Sequence, residues 1–90
     1  MNIQKLMKEA QKAQRKMQEA QEKLASLSVE GSAGGGLVTV TANGEGTVTG
    51  VKIDPSAVDP EDVEMLEDLV SAAVSDAQRK ARELQEQEMS

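Results

Sequence analysis

Side chains equipped for chemistry are few in this chain, and they are unevenly placed. Its 90 residues contain no His and no Cys, which removes Ser-His-Asp and Cys-His nucleophiles and zinc sites built on imidazole or thiolate. Carboxylates, hydroxyls and cationic side chains remain. Residues 1–27 hold six cations (Lys5, Lys8, Lys12, Arg15, Lys16, Lys23) against three acids (Glu9, Glu19, Glu22), whereas residues 54–70 hold seven acids and no base. The chemistry open to the first group is neutralisation of phosphate. For the second it is cation binding, but Asp54, Asp59, Glu61 and Asp62 lack the alternating ligands and central Gly of a calcium loop, and helix capping accounts for them better. No catalytic constellation is visible, so no enzyme, cofactor, metal or small-molecule substrate is expected. The net charge of −6 argues against a polyanionic partner. Its polarised distribution argues for one.

The elements that must position these groups can be read from periodicity. From about Asn2 to about Leu27 the chain is rich in Gln, Lys, Glu, Ala and Met, with no Gly or Pro, and reads as one long helix. Ile3, Leu6, Ala10, Ala13, Met17, Ala20, Leu24 and Leu27 alternate spacings of three and four, the pattern of a coiled-coil seam. The glycines of residues 28–36 then break the helix and permit a short strand near 28–33. A phosphate cradle at Ser32–Gly36 is not expected, because no Gly-Lys-Ser/Thr follows; a plain turn is. Residues 37–42 and 47–53 are rich in Val and Thr and flank Asn43-Gly44-Glu45-Gly46, which makes 37–53 a hairpin. Parity puts Val38, Val40 and Ala42 on the face of Thr47, Thr49, Val51 and Ile53, with a helix packed on it; Leu37 and Val48 fall on the other face. A second long helix is expected from about Pro60 to about Gln87, with Asp59 as N-cap and the stripe Val63, Leu66, Leu69, Val70, Ala73, Val74, Ala77, Ala81, Leu84.

The resulting fold is α+β: a long N-terminal helix, a small antiparallel sheet of three strands and a long C-terminal helix, in a single domain spanning 1–90. Phe, Tyr and Trp are absent, so the core is thin. A helix of about 25 residues is about 37 Å long, whereas strands of six or seven residues reach about 20 Å. The sheet cannot cover the helices, and their uncovered stripes should pair with each other and with a second chain. No disulfide is possible, and residues 1–27 have neither a signal peptide's apolar core nor a membrane span, so the cytoplasm is the expected compartment.

Several stretches resemble the YbaB/EbfC family of bacterial nucleoid-associated proteins: the Gln/Lys/Met-rich first helix, Gly34-Gly35-Gly36-Leu37-Val38, Ile53-Asp54-Pro55-Ser56, the run from Glu64 to Val70, Ala72-Ala73-Val74, and Asp76-Ala77. They occur in order along nearly the whole chain. The resemblance implies an α-β-β-β-α core, a homodimer with projecting helical arms, and binding of double-stranded DNA that alters its conformation, with effects on nucleoid organisation and gene expression. Two departures stand out. Family members often carry a glycine-rich lead and a Gly/Pro/Met-rich tail that this sequence does not show, and Thr39 stands where a Lys commonly follows the first valine of the hairpin. If those elements assist DNA contact, affinity here is expected to be lower.

By itself, a basic helix face is most simply a solvated surface. With the resemblance, Lys5, Lys8, Lys12, Arg15, Lys16 and Lys23 become the candidate DNA contacts. Arg79, Lys80 and Arg82 are additional candidates, for which offsetting the helix C-terminal dipole is an equal reading. Without aromatics there is no stacking platform for single strands, and no base-reading module is visible, so duplex DNA and little sequence preference are expected. The competing reading is a helical protein-interaction module for a replication, recombination or regulatory protein.

Overall fold

A computed structural model describes residues 2–89. The expected order of elements is present: α1 (Ile3–Ser26), β1 (Ser28–Ala33), β2 (Val38–Asn43), β3 (Val48–Ile53), a 3-10 turn at Pro55–Ala57 and α2 (Val63–Met89). The strands form one antiparallel sheet in the order β1-β2-β3. Asn2 caps α1 by accepting a hydrogen bond from the Lys5 backbone N–H at 3.3 Å.

α2 packs across β1 and β2. Val38, Val40 and Ala42 point from β2 into Ala73 and Ala77 of the helix, and Val29, Ala33, Leu66, Leu69, Val70 and Val74 close the rim. The apposition is close because its residues are small. A Cβ on Gly31 would stand 2.5 Å from the Ala73 carbonyl oxygen and closer still to the Ala77 nitrogen, so strand and helix backbones touch where any other residue would hold them apart. Gly34, Gly35 and Gly36 all have positive φ and make the β1–β2 connection a defined turn.

Two expectations need correction. α2 begins at Val63, not at Pro60: Asp59 accepts a hydrogen bond from the Glu61 N–H at 3.0 Å and closes a separate turn, and Asp62 caps the helix by accepting from the Met65 N–H at 3.3 Å. The hairpin at Asn43–Gly46 is present as expected and turns on Gly44-Glu45, with Gly46 at positive φ and Asn43 Oδ1 accepting from the N–H groups of Glu45 and Thr47, both at 3.0 Å. The second correction concerns the faces of the hairpin. Val38 pairs with Ile53 and Val40 with Val51, as parity requires, but the register shifts at Thr41/Ala42 and sets Val48 opposite Ala42. That bulge, with Thr49 as the extra residue, brings Val48 to the helix-facing side. The helix does not cover β3 even so: Val48, Val51 and Ile53 are 37%, 50% and 37% exposed.

The molecule is a rod. A compact chain of this length would have a radius of gyration of about 12 Å; the observed value is 19.1 Å, with extents of 70 × 18 × 17 Å. Only the C-terminal third of α1 is anchored. Gly44 N–H donates to the Leu24 and Leu27 carbonyls at 2.8 and 3.0 Å, Leu24 is buried, and Lys23 meets Glu88 of α2 at 2.8 Å.

Candidate nucleic-acid interface

From Ile3 to Glu19 every residue of α1 is exposed, so the helix is an arm reaching past the end of α2. Five of the six candidate cations lie on it: Lys5, Lys8, Lys12, Arg15 and Lys16, accompanied by two carboxylates, Glu9 and Glu19. At 3.6 residues per turn these five fall within an arc of about 100° over about 16 Å of helix. The apolar seam of Ile3, Leu6, Ala10, Ala13 and Met17 is centred about 150° away around the helix. The arm therefore presents two separate stripes, one basic and one apolar. Ile3, Leu6 and Met17 are 69%, 48% and 61% exposed.

The remaining candidates are differently placed. Lys23 forms the ion pair with Glu88 that ties α1 to α2. Arg79 and Lys80 belong to a network around Asp76. Arg79 pairs with Asp76 at 2.8 Å and with Glu83 at 2.6 Å; Lys80 lies 3.4 Å from Asp76 and donates to the Glu30 carbonyl at 2.9 Å. The Ser32 backbone N–H donates to Asp76 at 3.0 Å. The Arg79 hydrogen bond and the Ser32 N–H, with the Lys80 charge nearby, hold the Asp76 carboxyl down at about 2; Arg79 is pushed up by the same contact. Asp54 is likewise lowered, chiefly by the Ser56 backbone N–H that it accepts. Arg82 is exposed beside a shallow hollow it shares with Glu45, Gly46, Gln78 and Gln85. A role against the helix dipole does not fit these three, because α2 continues to Met89 and its last turn carries no base.

Asp76 was not singled out among the candidate site residues. Its signal is nonetheless present: Asp76, Arg79, Lys80 and Glu83 stand three, four and seven residues apart, the spacing of side-chain pairs along one helix face. A cleft of about 410 Å³ between the helices is lined by Lys16, Met17, Ala20, Gln21, Leu24 and Glu88. Among the described residues no group of acids is placed to hold a metal ion, and no helix is long and apolar enough to cross a membrane.

A three-stranded antiparallel sheet carried between two long helices, one of them a free basic arm, has a close structural counterpart. An uncharacterized protein from Helicobacter pylori superposes with a TM-score of 0.84 over 97% of this chain and 91% of its own, at 24% identity, which establishes the shared fold. Sequence comparison goes further. The profile of the YbaB/EbfC DNA-binding family matches residues 1–90, and the chain belongs to that family. Relatives named nucleoid-associated protein include one from Chloroflexus aurantiacus, 53% identical over 99% of this chain and 89% of its own. A second, from Legionella pneumophila, is 54% identical over 99% and 79%. A third, from Saccharopolyspora erythraea, is 53% identical over 98% and 76%.

Proposed function

We propose that this chain is a nucleoid-associated protein that binds duplex DNA as a homodimer, with little sequence specificity, and alters the DNA's conformation, with effects on nucleoid organisation and gene expression in the bacterial cytoplasm. The observation that carries the reading is the free arm of α1, where Lys5, Lys8, Lys12, Arg15 and Lys16 lie on one stripe and no ion pair forms among the described residues. Phosphates can be neutralised there without first breaking an internal contact. The seven acids of residues 54–70 stand with the start of α2, at the end of the sheet away from the arm, and do not cancel its field.

The dimer is supported by surface area. A compact monomer of 9.6 kDa exposes about 5,100 Å², whereas this chain exposes 6648 Å². The excess is comparable with what one partner gives up in a large, obligate dimer interface. Two arms held by one dimer would force a duplex that follows both to bend or be bridged, and smooth bending of 20–30 base pairs costs only on the order of 1–6 kcal/mol.

Fluorescence anisotropy with an arbitrary-sequence duplex over a salt series, beside light scattering for mass, tests both parts. Binding by a dimer with a log-log salt slope of about −4 to −8 is expected. No binding at low salt would instead favour a protein-interaction module, for which the exposed apolar stripe of Ile3, Leu6 and Met17 would be the contact surface.

A further inference from the structure

The fold uses only part of the apolar seam of α1. Toward its C-terminal end α1 meets the last turns of α2: Leu24 is buried, Ala20 is half-buried, and Lys23 pairs with Glu88 at 2.8 Å. Gln85 donates to the Gly44 carbonyl beside Leu24, and Glu88, a turn further on, reaches Lys23 and the cleft lined by Lys16 and Met17. α2 therefore runs against the direction of α1. From Met17 back to Ile3 the seam continues with every residue exposed.

The flanks of this open stretch are unlike each other. In heptad terms Ile3, Ala10, Met17 and Leu24 occupy position a, and Leu6, Ala13, Ala20 and Leu27 occupy position d. One flank, position e, then carries Met7, Gln14 and Gln21 and is neutral; the other, position g, carries Glu9, Lys16 and Lys23, with Lys5 and Lys12 just behind it. Lys16 and Lys23 are thus equivalent positions one heptad apart. Lys23 faces α2 and has an acidic partner there; Lys16, on the edge of the same cleft, forms no ion pair among the described residues.

We infer that the seam from Ile3 to Met17 is the docking groove for an amphipathic helix of another protein, acidic along one flank. Such a helix continues the α1–α2 packing in line with α2 and gives Lys16 the carboxylate that Glu88 gives Lys23. The small residues Ala10 and Ala13 at the middle of the seam let a helix approach closely. Charge selects an acidic partner, because residues 1–19 hold five cations against two carboxylates. The inference stands apart from the DNA reading. The basic stripe is centred about 150° around the helix from the seam, so the arm has a face for each ligand.

The test titrates the full-length protein into a fluorescent peptide of about three heptads, with Leu at a and d and Glu at e and g, and into a counterpart with Lys at e and g. Anisotropy should show saturable binding of the Glu peptide, at least about tenfold tighter than of the Lys peptide. The net charge of −6 would otherwise favour the Lys peptide. Met17→Glu should abolish this binding, and Lys16→Glu should erase the preference for the Glu peptide. Gln11→Glu adds the same charge at an exposed position about 120° from the seam centre. It should leave the affinity within about twofold. No binding, equal affinity for the two peptides, or binding that survives Met17→Glu overturns the inference. So does a fall in the protein's mass by light scattering on Met17→Glu, which would give the seam to a second copy of this chain. Salt-dependent affinity for duplex DNA, measured on the same wild type, keeps the proposed function standing in each of these cases.

Discussion

Asp76 of α2 accepts a hydrogen bond from the backbone N–H of Ser32, 44 residues earlier, at 3.0 Å. The contact ties the second helix to the outer edge of the first strand. Asp76 carries charge to about pH 2 because Arg79, the Ser32 N–H and Lys80 all favour the carboxylate. A carboxyl whose folded value lies below its unfolded one stabilises the fold above the unfolded value, near 4, and loses that stabilisation as pH falls through the folded one. Urea midpoints of the wild type should therefore decline between about pH 4 and pH 2. Asp76→Asn should lower the midpoint at pH 6 and flatten the decline; an unchanged slope would leave Asp54, lowered in the same direction by Ser56, as the larger contributor.

Gly31→Ala should destabilise the protein. Its Cβ would meet the backbone of α2 at Ala73 and Ala77, and overpacking of this kind typically costs about 1–3 kcal/mol. A Gly35→Ala variant has open space around the new methyl but sits at a φ of 68°, so its cost comes from the backbone alone. Chemical denaturation of the pair separates close approach from backbone strain.

Gly44→Ala should loosen the arm selectively. The added methyl would lie 2.5 Å from the Leu24 carbonyl oxygen, in the contact that anchors the end of α1 to the hairpin. Hydrogen exchange is expected to speed up across residues 20–27, and the protection of β2 and of mid-α2 should persist. Uniform loss throughout the chain would mean that the arm and the core unfold together.

Combined reversal of Lys8, Lys12 and Arg15 to Glu should abolish binding to an arbitrary duplex at moderate salt and leave the urea midpoint within about 0.5 kcal/mol of wild type, as expected for exposed sites. Lys23→Gln should do the opposite. It removes the Glu88 ion pair, which as an exposed contact contributes at most about 1 kcal/mol, and should alter arm exchange more than the salt slope of binding.

The long helices, the three strands and the basic stripe could be read in the sequence because each rests on a repeating pattern or a local turn signal. Ile3 to Leu27 keep the seam spacing throughout, and Asn43-Gly44-Glu45-Gly46 marks the hairpin wherever its centre falls. What escaped depends on competition between near-equivalent options. Asp59 and Asp62 are both competent caps, and only the turn closed by Asp59 decides that the helix starts at the second. The shift at Thr49 reverses the face of Val48 with no residue to announce it, because Thr is at home both in a bulge and in a regular strand. Asp76 looked like one more acid on a helix until the sheet brought Ser32 beside it. The uncovered state of β3 follows from the width of one helix against three strands, a matter of packing that no local pattern contains.

The rod form has a hydrodynamic consequence. Friction on a particle 70 Å long and 18 Å wide exceeds that on a sphere of equal mass, so the chain would diffuse as though it were heavier and sediment as though it were lighter. On a gel-filtration column calibrated with globular standards, a single copy would elute ahead of its 9.6 kDa mass and counterfeit a pair.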